Sequence, residues 1–284
     1  MRVVLIYNTS SGGRYTLARM RRICRENSIA IDYSFTARQL GSPKLAQLIK
    51  RGVTVMAIGG DGTMNGAANL IVDSPSLLLP LPGGTLNHFV RDLGMTGSVE
   101  DIISRIEKAR EQKVDVGYVN DQLFLNNSSL GLYPFSLLDR KSSSKRLTKW
   151  VAAVYAGVRQ LVVFRRHRLI IDGKKIRSPF VFVGNNLYDI SLSLIPGRTE
   201  LNSGVLTVMV ASSRSRWHLV RAGFNIARGK VSHLDDFSLE KRKSIDIYTH
   251  KTTLPVSFDG EVKYLSSPFY FRTQPACLRV LVIK

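Results

Sequence analysis

The sequence predicts two domains, an α/β first domain built on a parallel sheet and a second domain that is mostly antiparallel β, a β-sandwich or barrel. Three observations predict it. Over the first 116 residues, short apolar β-rich runs alternate with helix-like segments, the pattern of βαβ units. After about Tyr118 the helical segments thin out, and short strand-like runs punctuated by Gly, Asp, Asn and Pro take over. The length, 284 residues, fits two domains of roughly 150 residues each.

Residues 3–7 read as a buried first strand, followed by the turn Asn8-Thr9-Ser10-Ser11-Gly12-Gly13 and an Arg-rich helix to about Asn27. Residues 29–35 form a second strand. A helix over about 42–51 leads into a third strand at 53–58, which stops at Gly59-Gly60-Asp61-Gly62-Thr63. The next helix covers 64–72, and the strand at 77–81 ends in Pro82-Gly83-Gly84-Thr85. The boundary falls near 116–122, giving domains 1–118 and 119–284. In the second domain the strand-like runs are 122–125, 168–171, 180–183, 205–210, 244–248, 255–258 and 278–283. Asp172-Gly173 reads as a hairpin turn, because both residue types tolerate φ > 0. Two helices are expected, over about 145–164 and 216–228.

The chain carries 41 Lys and Arg against 21 Asp and Glu, a formal net charge of +20. Residues 1–116 hold +5 of this and the remainder +15, clustered at 140–149, 165–168, 174–177, 214–216 and 241–243. Such clusters favour a polyanion, and an anionic bilayer attracts each nearby Lys or Arg by roughly 1 kcal/mol. Nucleic acid is not an expected partner, since the sequence has no zinc finger, helix-turn-helix or aromatic-rich RNA motif. Two cysteines, Cys24 and Cys277, are too few for a disulfide framework or a CxxC zinc site and suit a reducing compartment. The five histidines show no HExxH or paired spacing, so neither a His-held metal nor a Ser-His-Asp hydrolase is expected. The start of the chain lacks the apolar core of a secretory signal, and the apolar run at 150–164 is shorter than the roughly 20 residues needed to cross a bilayer. The expected location is therefore cytoplasmic, with peripheral association at the membrane.

The sharpest chemical signal is Gly59-Gly60-Asp61-Gly62-Thr63, set between a buried strand and a helix. Glycines there let the backbone approach a phosphate, and the helix start offers unpaired N–H donors and a positive dipole end. Asp61 is unexpected in a pure phosphate cradle, because a carboxylate repels phosphate unless a cation sits between them or a proton is taken. Its presence points to catalysis. Pro82-Gly83-Gly84-Thr85-Leu86-Asn87 repeats the design after the next strand, and two such loops at neighbouring strand ends form the walls of a nucleotide cleft. No GxxxxGK[ST] loop and no helix-opening GxGxxG is present, which excludes a Walker nucleotidase and a standard dinucleotide fold.

Gly59-Gly60-Asp61-Gly62-Thr63 with Asn65, Pro82-Gly83-Gly84-Thr85 with Asn87, the leading Asn8-Thr9-Ser10-Ser11-Gly12 and the late Asp259-Gly260-Glu261 together resemble the catalytic domain of the diacylglycerol kinase family, which includes sphingosine and ceramide kinases and soluble bacterial lipid kinases. Asn126 to Leu132 and Val183-Gly184-Asn185-Asn186 resemble its second-domain motifs. The likeness implies a Rossmann-like first domain of the NAD kinase and diacylglycerol kinase type. It implies a kinase that moves the γ-phosphoryl of ATP, with Mg²⁺, to the hydroxyl of diacylglycerol or a related lipid in an interdomain cleft. By the same likeness Asn8, Ser11, Gly12, Gly59, Gly60, Gly62, Thr63, Asn65, Gly83, Gly84, Thr85 and Asn87 surround the nucleotide. Asp61 lies near the phosphates and the ATP-bound Mg²⁺, and Asp259 is the general base; the adjacent Glu261 is placed to hold the metal or to orient a partner and counts with them as a candidate catalytic residue. Where many relatives carry Asp for a structural Mg²⁺, this chain has Asn202 and Ser203, neutral ligands that hold Mg²⁺ weakly, so a second ion is not expected. NAD kinases share a Gly-Gly-Asp-Gly string and offer the rival reading, as does a non-catalytic nucleotide or lipid binder; the second loop and the Asp-Gly-Glu turn favour the lipid kinase. Strands of the second domain offer a route to a homodimer.

Overall fold

The computed structural model describes residues 1–8, 15–131, 166–189, 197–198, 200–211 and 237–283, which fall into two compact units, Met1–Val116 with Gln274–Lys284 and Gly117–Thr273. The expected helices at 145–164 and 216–228, the basic clusters at 140–149 and 214–216, and the loop residues Ser11 and Gly12 lie outside the described residues.

The first unit opens with β1 (Arg2–Tyr7), whose four central residues are buried. Helix α1 (Leu17–Glu26) starts at Thr16, whose side-chain oxygen accepts the Arg19 N–H, and buries Met20, Ile23 and Cys24. There follow β2 (Ala30–Thr36), α2 (Pro43–Lys50) with proline in its first turn, β3 (Thr54–Gly59), α3 (Asp61–Ile71), β4 (Leu77–Pro82), α4 (His88–Asp92), α5 (Val99–Ile103) and β5 (Arg110–Val119). The strands pair in parallel in the order β2-β1-β3-β4, as the alternating grammar predicts. Residues 55–58 of β3 and Leu78, Leu79 and Leu81 of β4 are buried, the continuous apolar runs expected of a parallel sheet covered on both faces.

One local expectation is corrected. The helix anticipated at 64–72 begins at Asp61, so Asp61, Gly62 and Thr63 are its first turn rather than a loop. Gly60 is extended (φ −84°, ψ −175°), and its carbonyl accepts the N–H groups of Thr63 at 2.9 Å and Met64 at 3.1 Å. An acidic residue at a helix start is favoured by the dipole, and that outweighs the glycine beside it.

The second unit contains β6 (Gln122–Phe124), β7 (Asn127–Gly131), β8 (His167–Ile171), β9 (Lys174–Ser178), β10 (Phe180–Asn185), β11 (Tyr188–Asp189), β12 (Gly197–Arg198), β13 (Leu206–Ala211), β14 (Phe237–Arg242), β15 (Ser244–Thr249), β16 (Thr253–Phe258), β17 (Glu261–Ser266) and the start of β18 (Phe269–Val282). One antiparallel sheet runs β14-β13-β10-β7-β16-β17, and β18, β15, β8 and β9 pair antiparallel in a second. Leu130, Val183, Leu206 and Val256 from the first sheet and Leu169, Ile247, Phe269 and Phe271 from the second share one buried core, which makes the unit a β-sandwich. Both Asp-Gly pairs are two-residue hairpin loops with positive φ at each position, 50° and 76° at Asp172-Gly173 and 47° and 83° at Asp259-Gly260.

The end of the chain departs from the expected boundary, which ran the second domain to 284. Strand β18 starts at Phe269 rather than 278, pairs with β15 through Arg272, and then leaves the second unit. Its last part pairs in parallel with β4, Val280 opposite Leu78, and Leu278, Val280, Val282 and Ile283 are buried in the first unit. Polar contacts fix it there. The Ala276 N–H donates to the buried Asp115 carboxylate at 2.8 Å, and Arg279 donates to both oxygens of Glu111 at 2.7 and 2.8 Å. Among the described residues no helix is long and apolar enough to cross a membrane.

Deletion of residues 274–284 is expected to abolish cooperative unfolding of the first unit. Four buried apolar side chains at about 1.5–3 kcal/mol each are comparable with the whole stability of a domain, about 5–15 kcal/mol. A truncated chain that melts cooperatively at the full-length temperature would contradict the assignment of this strand.

Candidate active site

Strands β3 and β4 end in register, Gly59 opposite Pro82, so the two glycine-rich segments leave the sheet side by side. The Gly83 N–H donates to the Gly59 carbonyl at 2.9 Å. The approach is backbone on backbone. A Cβ on Gly83 would lie 2.7 Å from the Gly59 nitrogen, one on Gly84 2.5 Å from the Gly60 Cα, and one on Gly59 2.3 Å from Thr63 Oγ1. Glycine is required at these three positions by packing alone.

Polar contacts brace the same corner. Asn8, at the end of β1, donates from Nδ2 to Thr63 Oγ1 at 3.4 Å and from its N–H to the Ile58 carbonyl at 3.2 Å. Asp61 Oδ1 accepts the Phe89 N–H at 3.3 Å, tying the start of α3 to the first turn of α4. Asn87 takes a left-handed conformation (φ 51°) ahead of α4, accepts the Gly84 N–H at 2.9 Å and donates to the Gly84 carbonyl at 3.0 Å. Gly62, Gly84 and Thr85 are exposed, while Asn65 is half-buried in α3. The structure thus brings together Asn8, Gly59, Gly60, Asp61, Gly62, Thr63, Gly83, Gly84 and Asn87 around exposed backbone at the C-terminal ends of two parallel strands, the ligand position of open α/β sheets.

Asp259 and Glu261 belong to the second unit. Glu261 is exposed at the start of β17. Asp259 sits at the first position of the hairpin turn after β16, as the turn reading of Asp-Gly expects. Its carboxylate accepts three successive backbone N–H groups: Leu125 at 2.7 Å on Oδ2, and Asn126 at 2.7 Å and Asn127 at 3.2 Å on Oδ1. Its own N–H donates to the Asn127 carbonyl at 3.0 Å. Asn126 and Asn185 are both buried, and Asn185 donates from its N–H to the Asn126 carbonyl at 2.9 Å and from Nδ2 to the Leu125 carbonyl at 3.1 Å. The sequence reading missed Arg198, which is 7% exposed and the only Lys or Arg in the buried class among the described residues. Nothing in the sequence distinguishes it from the other 40 basic residues.

Among the described residues no group of three or more His, Cys, Asp or Glu side chains is placed to hold a metal ion. In the loop with Asn202, Ser203 donates both its N–H and its hydroxyl to Asn186 Oδ1 at 2.9 Å. That donor set does not suit a second ion. Burial pushes the thiols of Cys24 and Cys277 up to about 11, so both stay protonated near neutral pH and neither is a nucleophile there. In the second unit a cavity of about 570 Å³ has a mixed lining, in which Ile171, Ile176 and Val208 stand beside the cations Arg166 and Lys174 and the carboxylates Asp172 and Glu240.

Replacing Gly84 by Ala is expected to lower unfolding stability by about 1–3 kcal/mol, because the new Cβ meets backbone that has nowhere to move. Gly60→Ala is the control. Its Cβ would have a nearest neighbour at an ordinary 3.5 Å, so denaturant midpoints should separate the two variants, and equal midpoints would contradict the packing described here.

Residues 2–119 match the diacylglycerol kinase catalytic domain, and residues 139–282 match the YegS C-terminal NAD kinase beta sandwich-like domain. Proteins named diacylglycerol kinase from Staphylococcus aureus strains JH9 and Newman are each 26% identical over 215 residues, which is 73% of this chain and 67% of theirs. A crystal structure described as a diacylglycerol kinase from Bacillus anthracis str. Sterne aligns with all of this chain and 97% of its own at TM-score 0.68 and 20% identity. Another Bacillus anthracis structure reaches TM-score 0.74 at 23% identity with the same coverage, a likeness of fold. With the catalytic-domain match over its first part and the sandwich-domain match over half its length, this chain belongs to the diacylglycerol kinase catalytic-domain family of kinases.

Proposed function

We propose that this protein is an ATP-dependent lipid kinase acting on the hydroxyl of diacylglycerol or a related lipid at an anionic membrane surface. The observation that carries the reading is the glycine-walled corner of the first unit, where exposed backbone and the start of α3 meet a single carboxylate, Asp61. Phosphoryl transfer asks the protein mainly for positioning and charge neutralisation, and this corner is suited to supplying both.

In this mechanism the N–H groups of Asp61 and Gly62 at the start of α3 and that of Thr85 bind the triphosphate, while the N–H groups of Thr63, Gly83 and Gly84 hold the corner itself together. Asn8 and Thr63 hold the rim of the site, and Asp61 faces the cation that travels with the nucleotide. Mg²⁺, when bound with ATP, offsets negative charge on the phosphate oxygens. The lipid hydroxyl oxygen attacks the γ-phosphorus, the bond from that phosphorus to the β,γ-bridging oxygen breaks, and ADP leaves with the electron pair. The hydroxyl proton passes to Asp259. A carboxylate whose rotamer is set by three N–H donors presents one orientation to the attacking oxygen, which favours that assignment.

The lipid substrate class is supported by the second unit. Its cavity is lined by apolar side chains and by more cations than carboxylates, Arg166, Lys174, Arg177 and Arg242 against Asp172 and Glu240, a surface suited to an anionic bilayer and its lipids. The exposed cations Lys241 and Lys243 add to the same charge, and the two free thiols suit a cytoplasmic setting.

Labelled ATP with Mg²⁺ and a panel of diacylglycerol, a sphingoid base, ceramide and NAD tests the reading. A labelled phospholipid is the expected product; labelled NADP alone, or no transfer, would replace it. Asp259→Asn should lower the transfer rate by about 10²–10⁴-fold with ATP affinity retained. Gly60→Ala should weaken ATP binding without loss of fold. Vesicles containing phosphatidylglycerol should bind the protein, with binding falling steeply between low and high salt. Salt-independent binding to neutral vesicles would remove the electrostatic docking.

A further inference from the structure

The peptide group joining Leu125 to Asn126 is held at both ends by side chains of opposite charge. Its N–H, on Asn126, donates to Asp259 Oδ1 at 2.7 Å, while its carbonyl, on Leu125, accepts from Arg198 Nη1 at 2.6 Å. Arg198 also donates from Nη2 to the Asn126 side-chain oxygen at 2.7 Å. The next peptide group, from Asn126 to Asn127, repeats the arrangement. Its N–H reaches the same Asp259 oxygen at 3.2 Å, and its carbonyl accepts the Tyr188 hydroxyl at 2.7 Å.

Strands β11 and β12 explain how the two donors arrive together. They form a two-residue ribbon with Tyr188 directly opposite Arg198, and the guanidinium lies 5.8 Å from the centre of the Tyr188 ring. Arg198 is 7% exposed, Asn126 4% and Asn185 0%, so the Arg198 bonds lie in a buried region where each donor polarises the next acceptor, while those to Asp259 and from Tyr188 are half-buried. A cation on the carbonyl side of a peptide strengthens its N–H as a donor. The Asp259 carboxylate therefore receives N–H groups primed from the far side.

We propose that Arg198 and Tyr188 are positioning residues for Asp259, acting through the two peptide groups of Leu125–Asn127 wedged between them. This rests on the reading of Asp259 as the proton acceptor. Neither residue touches the substrate in this scheme. Arg198 keeps the tripeptide in register so that its N–H row fixes the carboxylate, and Tyr188 sets the second peptide.

The test uses the full chain and two readouts. In wild-type protein the amide proton resonances of Asn126 and Asn127 are followed by NMR, with steady-state phosphorylation of the lipid in parallel. Arg198→Ala should shift both resonances and lower kcat by about 10²-fold, with KM for ATP and lipid within about twofold, and millimolar methylguanidinium should restore about tenfold of the loss and return the resonances. Tyr188→Phe, which removes one hydroxyl, should lower kcat by about tenfold and move Asn127 more than Asn126; it keeps the test alive if Arg198→Ala does not fold. Unmoved resonances overturn the proposal, as does wild-type kcat in either folded variant or a loss that methylguanidinium does not recover. If the wild-type chain transfers no phosphoryl group, the kinase reading falls, and the resonances alone decide whether Arg198 acts on the donors of Asp259.

Discussion

The contact on which the first unit depends is the one between two backbones, Gly59-Gly60 at the end of β3 and Gly83-Gly84 at the end of β4. In-register pairing of two buried strands delivers both segments to the same level, and the Gly83 N–H bond to the Gly59 carbonyl closes them together. At Gly59, Gly83 and Gly84 no side chain fits. Exposed peptide groups are left at the start of a helix, which is the property a phosphate-binding surface needs. The surrounding polar residues act on this arrangement rather than creating it: Asn87 fixes Gly84, Asn8 meets Thr63, and Asp61 joins α3 to α4.

In the second unit the corresponding organising feature is a carboxylate rather than a glycine contact. A two-residue hairpin turn places Asp259 where three consecutive N–H groups converge on it. Asparagines that look interchangeable in sequence divide into distinct jobs around it. The Asn126 and Asn127 backbones supply donors, Asn185 holds the carbonyl side, and Asn186 accepts from Ser203.

Elements whose signal is local were legible in the sequence. The apolar runs of β1, β3 and β4 declare a parallel sheet covered on both sides, and the glycine strings after β3 and β4 declare close backbone approach. The Asp-Gly pairs declare their hairpins. Strands β5, β7, β9, β11, β12, β14 and β17 were not legible, and of these β9, β14 and β17 are sheet edges. Edge strands carry Lys, Arg and Glu on exposed positions, which guards against further pairing and erases the alternation that identifies a strand. The return of β18 to the first unit was hidden for another reason, since the parallel pairing joins Val280 to Leu78, residues far apart in sequence. Arg198 is the clearest case of missing information: its burial follows from the pairing of Tyr188 with Arg198, a fact of tertiary structure.

A crystal structure of the full chain with Mg²⁺ and a non-hydrolysable ATP analogue tests the central claim most directly. The account predicts triphosphate density against the N–H groups at the start of α3 and the backbone of Gly83 to Thr85. Density for the nucleotide elsewhere on the molecule, with this corner filled only by solvent at saturating analogue, would contradict it.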